Sequence, residues 1–328
     1  MDGTNLIDCS VSLLASSMNQ ALIVWIILSL IWGSTWSFIK IGLRDLPPFT
    51  FAGIRFLIAA AILWLIVLLR SDSMPRKRGD WLIIAWTGLI AFAVNYGLIF
   101  WGEQHITSGL AAVLQATIPT FGLVIAHVYL PEERITTRKL VGVVLGIAGV
   151  SLLFYDQLKI EGTAALWGSA ALVLSAVCVA YSNVLVKARC QHLNPAALAA
   201  GQMIFGFAPL LAIGTIWEGN PLLLRWTQQA VISILYLAFA GSALAFLLYY
   251  WLVKKIDVTK TMLIALVTPV IALLIGTVAL NEKVTWRIGA GSAATLSGIS
   301  LIVVQRKLRS IPFEPNMIEI DQVRPEKE

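Results

Sequence analysis

The sequence has few charged residues and little of the chemistry that soluble enzymes carry. Only 13% of its 328 residues are charged, whereas about 25% is usual for a soluble domain. Its three cysteines and three histidines are scattered, and no metal-binding, phosphate-binding or nucleophile motif occurs. These absences argue against a soluble enzyme, a disulfide scaffold and a metal-binding or nucleotide-binding protein, so no cofactor is expected.

Hydrophobic residues make up 58% of the chain, and its mean hydropathy is +0.82. A membrane-spanning helix needs about 20 mainly apolar residues. Ten stretches, numbered here as spans 1 to 10, meet this requirement: 22–41, 50–69, 82–101, 107–127, 138–155, 165–185, 195–216, 230–252, 261–280 and 287–305. We therefore predict an all-α, polytopic membrane protein that lies in the lipid bilayer.

The basic residues lie in the short connections between spans, which is membrane topology and not a nucleic-acid-binding face. With a cytoplasmic amino terminus, the inner segments hold 17 Lys and Arg residues and the outer loops hold 6. This bias predicts a cell-membrane protein with both termini in the cytoplasm. No nucleic-acid partner is expected, and the oligomeric state is left open.

The two ends of the chain differ from the spans between them. Residues 1–20 are predicted to form a short tail without the basic start of a signal peptide. Translation from Met1 and translation from Met18 are both compatible with this segment. Residues 306–328 are polar and are predicted to form a disordered cytoplasmic tail.

The chain resembles itself at a shift of 147 to 150 positions. Pairs of identical residues show the match: Lys40 with Lys187, Trp101 with Trp251, and Pro119 with Pro269. The repeats, residues 21–156 and 164–305, each hold five spans, so the second copy is inserted in the opposite orientation. Inverted repeats are typical of secondary transporters, which bind their substrate at the repeat interface near the midplane.

Several stretches resemble a known family. They are "WGSTWSFIKIGL", "PPFTFAGIRFLIAAAIL", and a repeated stretch that runs from a proline to Leu-x-Glu and into a glycine-rich helix. They are similar to the EamA family of the drug/metabolite transporter superfamily, over about residues 21–305. The resemblance implies two inverted five-helix repeats that move small metabolites by alternating access.

Span 1 carries two candidate residues for the substrate path. Trp36 lies too deep for a simple interfacial aromatic belt, so it either lines a cavity or packs between helices. Lys40 lies one turn further along the same helical face. It either anchors the helix end at the membrane interface or faces the path as a cation.

Arg55 lies inside span 2, where a charged side chain is costly to bury in the membrane. One interpretation pairs it with Glu103, near the same level at the end of span 3, as a structural or gating ion pair. The other places Arg55 opposite an anionic group of the substrate.

Further candidates for the path are amide and aromatic residues. Asn95 and Tyr96 lie in the outer half of span 3, and Tyr249 and Trp251 lie at the inner end of span 8. An aromatic belt accounts for Trp251, but a deep amide such as Asn95 needs a partner helix or a ligand. Gln115 lies on the one polar stripe of span 4.

Pro119 and Pro269 are predicted to kink spans 4 and 9 and so to free backbone carbonyls inside the membrane. Such carbonyls are tolerated only where protein or a wet cavity covers them. The two helices are therefore either moving walls of the path or static kinks.

These features predict a secondary transporter, not an enzyme, that moves small metabolites, with amino acids or related organic compounds as substrates and export as the direction. The alternatives are a membrane-embedded enzyme and a non-transporting membrane scaffold. The enzyme would need clustered catalytic groups, and the scaffold would need a soluble domain to transmit a signal.

The charge bias leads to a prediction about orientation. A reporter enzyme that works only in the cytoplasm, fused after Arg306, is expected to be active. Activity of a periplasm-dependent reporter at the same position would contradict the orientation.

Overall fold

The computed structural model describes residues 3–106, 108–153, 155, 158, 162–271 and 286–303, and within these ranges all regular structure is helical. Among these residues, seven helices are long and apolar enough to cross a membrane, and two shorter apolar helices cover Val258–Ile271 and Gly289–Val303. The predicted all-helical, multi-span architecture is confirmed, whereas the count of ten spans stays a prediction. The carboxyl-terminal tail lies outside the described residues.

The backbone divides several spans into more than one helix. The helices, in chain order, are α1 Gly3–Gly42, α2 Pro48–Leu69, α3 Arg78–Gly88, α4 Asn95–Gly102, α5 Ser108–Gln115, α6 Ile118–Tyr129, α7 Thr137–Leu153, α8 Gly162–Arg189, α9 Pro195–Trp217, α10 Gln228–Ala238, α11 Ala245–Lys255, α12 Val258–Met262, α13 over residues 264–271, and α14 Trp286–Val303. Two π-helical segments, Leu89–Val94 and Phe239–Leu244, join α3 to α4 and α10 to α11. The backbone of the predicted amino-terminal tail forms part of α1 from Gly3 onward.

Polar contacts between loops define two ends of the bundle. At one end, Asp45 accepts a hydrogen bond from Thr227 at 2.7 Å, and this end is called the Glu103 face below. At the other end, Asp80 lies 3.0 Å from His192, and this end is called the Lys187 face. The sequence predicts that the Glu103 face is the outer one.

Two carboxylates join helices of different halves by capping their amino termini. Glu218, which follows α9, accepts the backbone N–H groups of Phe49 and Thr50 at 2.8 and 2.7 Å. Glu133, which follows α6, binds the first turn of α12 in the same way, at 2.7 and 3.0 Å. A negative charge at a helix amino terminus is stabilised by the exposed N–H groups and by the helix dipole.

The helices α7 and α14 approach closely because glycines face each other along their contact. A Cβ atom built on Gly142 would lie 2.6 Å from the carbonyl oxygen of Gly298. A Cβ atom on Gly149 would lie 2.6 Å from the backbone nitrogen of Thr295. Small residues at such contacts allow the backbones of membrane helices to pack directly.

Replacing one of these glycines tests the contact. Gly149→Val is expected to lower the unfolding temperature of the purified protein, because the side chain meets backbone that cannot move away, and overpacking typically costs about 1–3 kcal/mol. Gly289→Ala is the control, since a Cβ atom at this exposed glycine meets nothing within 4 Å. Equal unfolding temperatures for both variants would contradict close packing of α7 on α14.

Candidate functional site

A cavity lies between the two halves of the protein. Its volume is about 140 Å³, which is room for a small organic molecule or several waters, since one water needs only about 10–15 Å³ on this measure. Residues of spans 1, 2, 3, 4, 6, 8 and 9 form its wall. Both halves of the chain therefore contribute to one site.

Many of the residues predicted for the substrate path meet at this cavity. Five of the path candidates line it: Trp36, Asn95, Tyr96, Gln115 and Tyr249. Arg55 and Pro269 line it as well. The structure thus brings these side chains together, while their role in transport stays a prediction.

Equivalent positions of the two halves line the cavity. At a shift of 147 positions, Trp36 corresponds to Asn183, and both line the wall. At a shift of 150 positions, the same holds for five pairs: Tyr96 with Phe246, Ile99 with Tyr249, Ala112 with Met262, Gln115 with Ala265, and Ile118 with Thr268. The cavity therefore lies where the two halves meet.

The two π-helical segments lie 150 positions apart and flank the cavity. In the second segment, the carbonyl oxygen of Gly241 accepts hydrogen bonds from Trp32 Nε1 at 3.3 Å and Arg55 Nη2 at 3.2 Å. In the first, the equivalent carbonyl of Ala91 accepts from Asn95 Nδ2 at 3.1 Å. π-Helical turns are rare and often occur at functional sites.

Arg55 is only 1% exposed, and its guanidinium is held by span 8 and by aromatic rings. Its Nε donates to Ser242 Oγ at 2.8 Å. Its Cζ lies 5.1 Å from the ring centroids of Phe56 and Tyr96, which is a favourable cation–π distance. Its Nη1 is buried without a hydrogen-bond partner.

The partners of Arg55 differ from the ion pair that one sequence-based interpretation gives it. No ion pair between Arg55 and Glu103 occurs among the ion pairs of the described residues. The guanidinium instead points across the bundle to Ser242, because the π-helical segment offers a carbonyl and a hydroxyl at the depth of Arg55. Glu103 is the C-cap residue of α4, about two helical turns beyond Asn95 along the chain.

Asn95 contributes a second unsatisfied atom to the same wall. The side chain is 2% exposed, and its amide nitrogen is bonded to Ala91 within span 3. Its Oδ1 is buried without a hydrogen-bond partner. Arg55 and Asn95 both line the cavity, and each has one buried side-chain atom without a hydrogen-bond partner, a donor on Arg55 and an acceptor on Asn95.

Gln115 joins span 4 to span 6 as well as lining the cavity. Its Nε2 donates to Ser175 Oγ at 2.6 Å and approaches the carbonyl oxygen of Leu172 at 3.4 Å. The polar stripe of span 4 is thus partly explained by contact with a neighbouring helix.

Two path candidates lie away from the cavity wall. Lys40 is exposed beyond Ile39, the last wall residue of α1. Trp251 is half-buried near the Lys187 face, where Lys255 Nζ lies 5.8 Å from its ring centroid. The exposed and charged surroundings of these residues fit helix ends at the membrane interface.

The two prolines act differently from one another. Span 4 is interrupted between Gln115 and Ile118, and Pro119 occupies the first turn of α6, where a proline costs no hydrogen bond. It therefore begins a helix instead of bending a continuous one. Pro269 lies within α13, where the Thr268 hydroxyl donates to the Ala265 carbonyl oxygen at 3.4 Å.

Two residues that line the cavity, Trp32 and Asn183, are not among the residues predicted for the path. Each had a signal in the sequence. Trp32 precedes Trp36 by one helical turn on the same face, and Asn183 is the repeat equivalent of Trp36.

A multi-span helical bundle with a central cavity formed by two equivalent halves has the architecture of a secondary membrane transporter. The comparison with protein families agrees with this class. The family described as "EamA-like transporter family" matches residues 19–155 and again residues 166–304. The chain belongs to this family.

Similar proteins carry transporter names. The chain is 29% identical to "Uncharacterized transporter YoaV" of Bacillus subtilis (strain 168), over 83% of this chain and 92% of that protein. It is 32% identical to "Uncharacterized inner membrane transporter YedA" of Escherichia coli (strain K12), over 76% of this chain and 79% of that protein. A solved crystal structure shares the fold with a TM-score of 0.73 at 18% identity, covering 87% of this chain and 96% of the other.

The contacts of Arg55 lead to a stability prediction. Ser242→Ala is expected to destabilise the purified protein by about 1–3 kcal/mol, because Arg55 Nε would lose its acceptor in a buried place. The control Ser37→Ala, at an exposed position of α1, is expected to stay within about 0.5 kcal/mol of the wild type. Unfolding of the purified protein in detergent measures both effects.

A double-mutant cycle decides which partner Arg55 uses. Arg55→Met and Ser242→Ala are expected to be non-additive, by about 0.5–3 kcal/mol, because both remove the same bond. Arg55→Met and Glu103→Gln are expected to be additive. If instead Arg55→Met and Glu103→Gln are non-additive and Arg55→Met and Ser242→Ala are additive, the result would support an ion pair between Arg55 and Glu103.

Proposed function

We propose that this membrane transporter moves amino acids or closely related small organic compounds out of the cell by alternating access, and that it is not an enzyme. The proposal is supported chiefly by two cavity-lining residues that each have a buried polar atom without a partner, Nη1 of Arg55 and Oδ1 of Asn95.

The two unpaired atoms would bind chemical groups of opposite charge. A guanidinium N–H donates to a carboxylate, and an amide oxygen accepts from an ammonium group. A buried polar group without a partner costs about 1–3 kcal/mol, so a ligand that pairs with both atoms recovers this free energy on binding. A small molecule with one carboxylate and one ammonium group, such as an amino acid, meets both requirements.

The rest of the wall suits the organic part of such a molecule. Apolar and aromatic side chains surround the polar atoms, among them Trp36, Tyr96, Phe246 and Tyr249. Binding sites for small metabolites are commonly lined in this way, with a few polar groups that fix the orientation of the ligand.

Alternating access is supported by the arrangement of the halves. The cavity lies between equivalent positions of both halves, and the two π-helical segments and the interrupted spans 4 and 9 adjoin it. Transporters with inverted repeats open to one side and then to the other by moving one half or bundle against the other around such a site.

Purified protein in liposomes tests the proposal. Vesicles filled with an unlabelled amino-acid mixture are expected to exchange it for a radiolabelled mixture outside. Turnover of a lipid-soluble substrate without exchange would favour a membrane-embedded enzyme, and neither activity would favour a scaffold. Efflux from preloaded cells, compared with cells that lack the protein, tests the direction.

Substitutions in the wall give the matching prediction. Asn95→Leu, Gln115→Leu and Trp36→Ala are each expected to lower exchange per folded molecule at least tenfold, which corresponds to about 1.4 kcal/mol. Gln104→Leu makes the same amide-to-leucine change at an exposed position outside the cavity and is the control. If exchange per folded molecule stays unchanged and only stability falls, the cavity is not the substrate site.

A further inference from the structure

Glu103 differs from the other carboxylates that lie at helix ends. It is the C-cap residue of α4, one position beyond the span Arg78–Gly102. Its Oε1 is buried and has no hydrogen-bond partner. Glu133 and Glu218, by contrast, each accept two backbone N–H groups at the start of a helix.

The position of Glu103 disfavours its negative charge. The carboxyl end of a helix carries the negative end of the helix dipole, whereas the amino ends that bind Glu133 and Glu218 carry the positive end. A buried carboxylate oxygen without a donor is also less stable than a solvated one. Both effects favour the protonated carboxyl group of Glu103.

Glu103 lies at one end of the cavity. It follows Ile99, a wall residue, by four positions, which is one helical turn along α4. Lys40 follows the wall residue Trp36 by the same interval along α1. The carboxyl group and the lysine are therefore one turn beyond the wall on two helices that border the cavity.

The opposite end of the protein shows what an equivalent lysine does. Lys187, the repeat equivalent of Lys40, donates to the carbonyl oxygens of Val253 and Ile256 at 2.6 and 2.9 Å. It thereby ties α8 to the end of α11. Val253 is the repeat equivalent of Glu103, so a side chain that can bind a proton stands at this position in only one of the two halves.

The charged surroundings of Glu103 are sparse in the described part of the chain. From α1, Lys40 acts on it electrostatically. In α2 the charged residue is Arg55, which lies deeper against Tyr96, and α5 has no ionisable side chain. The basic residues of α8 lie at its far end, and His105 is the nearest titratable residue on the chain itself.

We propose that Glu103 is a proton-binding site at this end of the cavity, and that its protonation and deprotonation are coupled to the movement of solute. This inference rests on the proposed transport function. The carboxyl group takes up one proton from the water that it faces and releases one proton later in the cycle, so no other reactant is required.

The acidity of the group agrees with such a role. Burial raises the pKa of Glu103 from 4.5 to about 8, and the positive charge of Lys40 acts in the opposite direction. The side chain is therefore neutral below this pH and becomes ionised above it, so both forms are populated near neutral pH. The ionised form attracts Lys40 across the mouth of the cavity, and protonation removes this attraction.

The proton site can be tested without a substrate. Infrared spectra of the purified protein are expected to show a protonated-carboxyl band that disappears as the pH rises, with a midpoint near 8. Glu103→Gln should abolish this band, whereas Glu132→Gln, which removes an exposed carboxylate, should keep it. Lys40→Gln should move the midpoint upward. A carboxyl band that titrates below pH 6 in the wild type, or one that survives in Glu103→Gln, would overturn the proton site.

Coupling is tested with the radiolabelled amino-acid mixture in liposomes. In the wild type, a pH gradient is expected to drive accumulation, and a pH-sensitive dye in the lumen should report proton movement. Glu103→Gln is expected to lose gradient-driven accumulation at least tenfold but to keep exchange at equal pH, and Glu132→Gln should keep both. Gradient-driven accumulation by Glu103→Gln at the wild-type rate would refute the coupling. A wild type that exchanges no solute would refute the proposed function and the coupling, and the infrared titration would still decide the proton site.

Discussion

The bonding of Arg55 is the constraint on which the centre of this structure depends. A guanidinium among apolar helices is costly unless its N–H groups find acceptors. Arg55 of span 2 finds them on span 8, at Ser242 Oγ and at the carbonyl oxygen of Gly241, which also accepts from Trp32 of span 1. A Cβ atom at position 241 would lie 2.9 Å from a methyl carbon of Thr35, so glycine permits this approach. One carbonyl group thus joins both halves beside the cavity.

The π-helical segments explain why an acceptor is available at this depth. In a regular α-helix each carbonyl is used within the helix, whereas a π-helical turn changes the pairing and opens positions to neighbours. Both halves have the segment in the same register, but different donors satisfy the equivalent carbonyls. The side chain of Asn95 donates to the carbonyl oxygen of Ala91 in its own span. The carbonyl oxygen of Gly241 instead accepts from Trp32 and Arg55, which lie in other spans.

The helical class and several cavity residues could be predicted from the sequence because they depend on local patterns. Apolar length predicted the spans, and polar residues at depth pointed to Asn95 and Gln115, both of which line the cavity. The partner of Arg55 could not be predicted, because a backbone carbonyl 186 positions away leaves no mark in composition. Lys40 and Trp251 are not among the residues that line the cavity, since helical periodicity gives a face of a helix but not the depth at which a wall ends.

The repeat supplies a common framework to which the two halves add different chemistry. Arg55 and its equivalent Gln202 both reach the π-containing span of the other half, Gln202 through a 2.6 Å bond to Thr87. Yet the charge is present only at Arg55. Asn95 likewise corresponds to Ala245, and Glu103 corresponds to Val253. At Asn95 and Glu103 the second half therefore has apolar residues, whereas at Trp36 and Ile99 it has the polar side chains of Asn183 and Tyr249. A framework with equivalent halves can thus support similar movements at both ends of the cavity, while the two halves place different side chains around it.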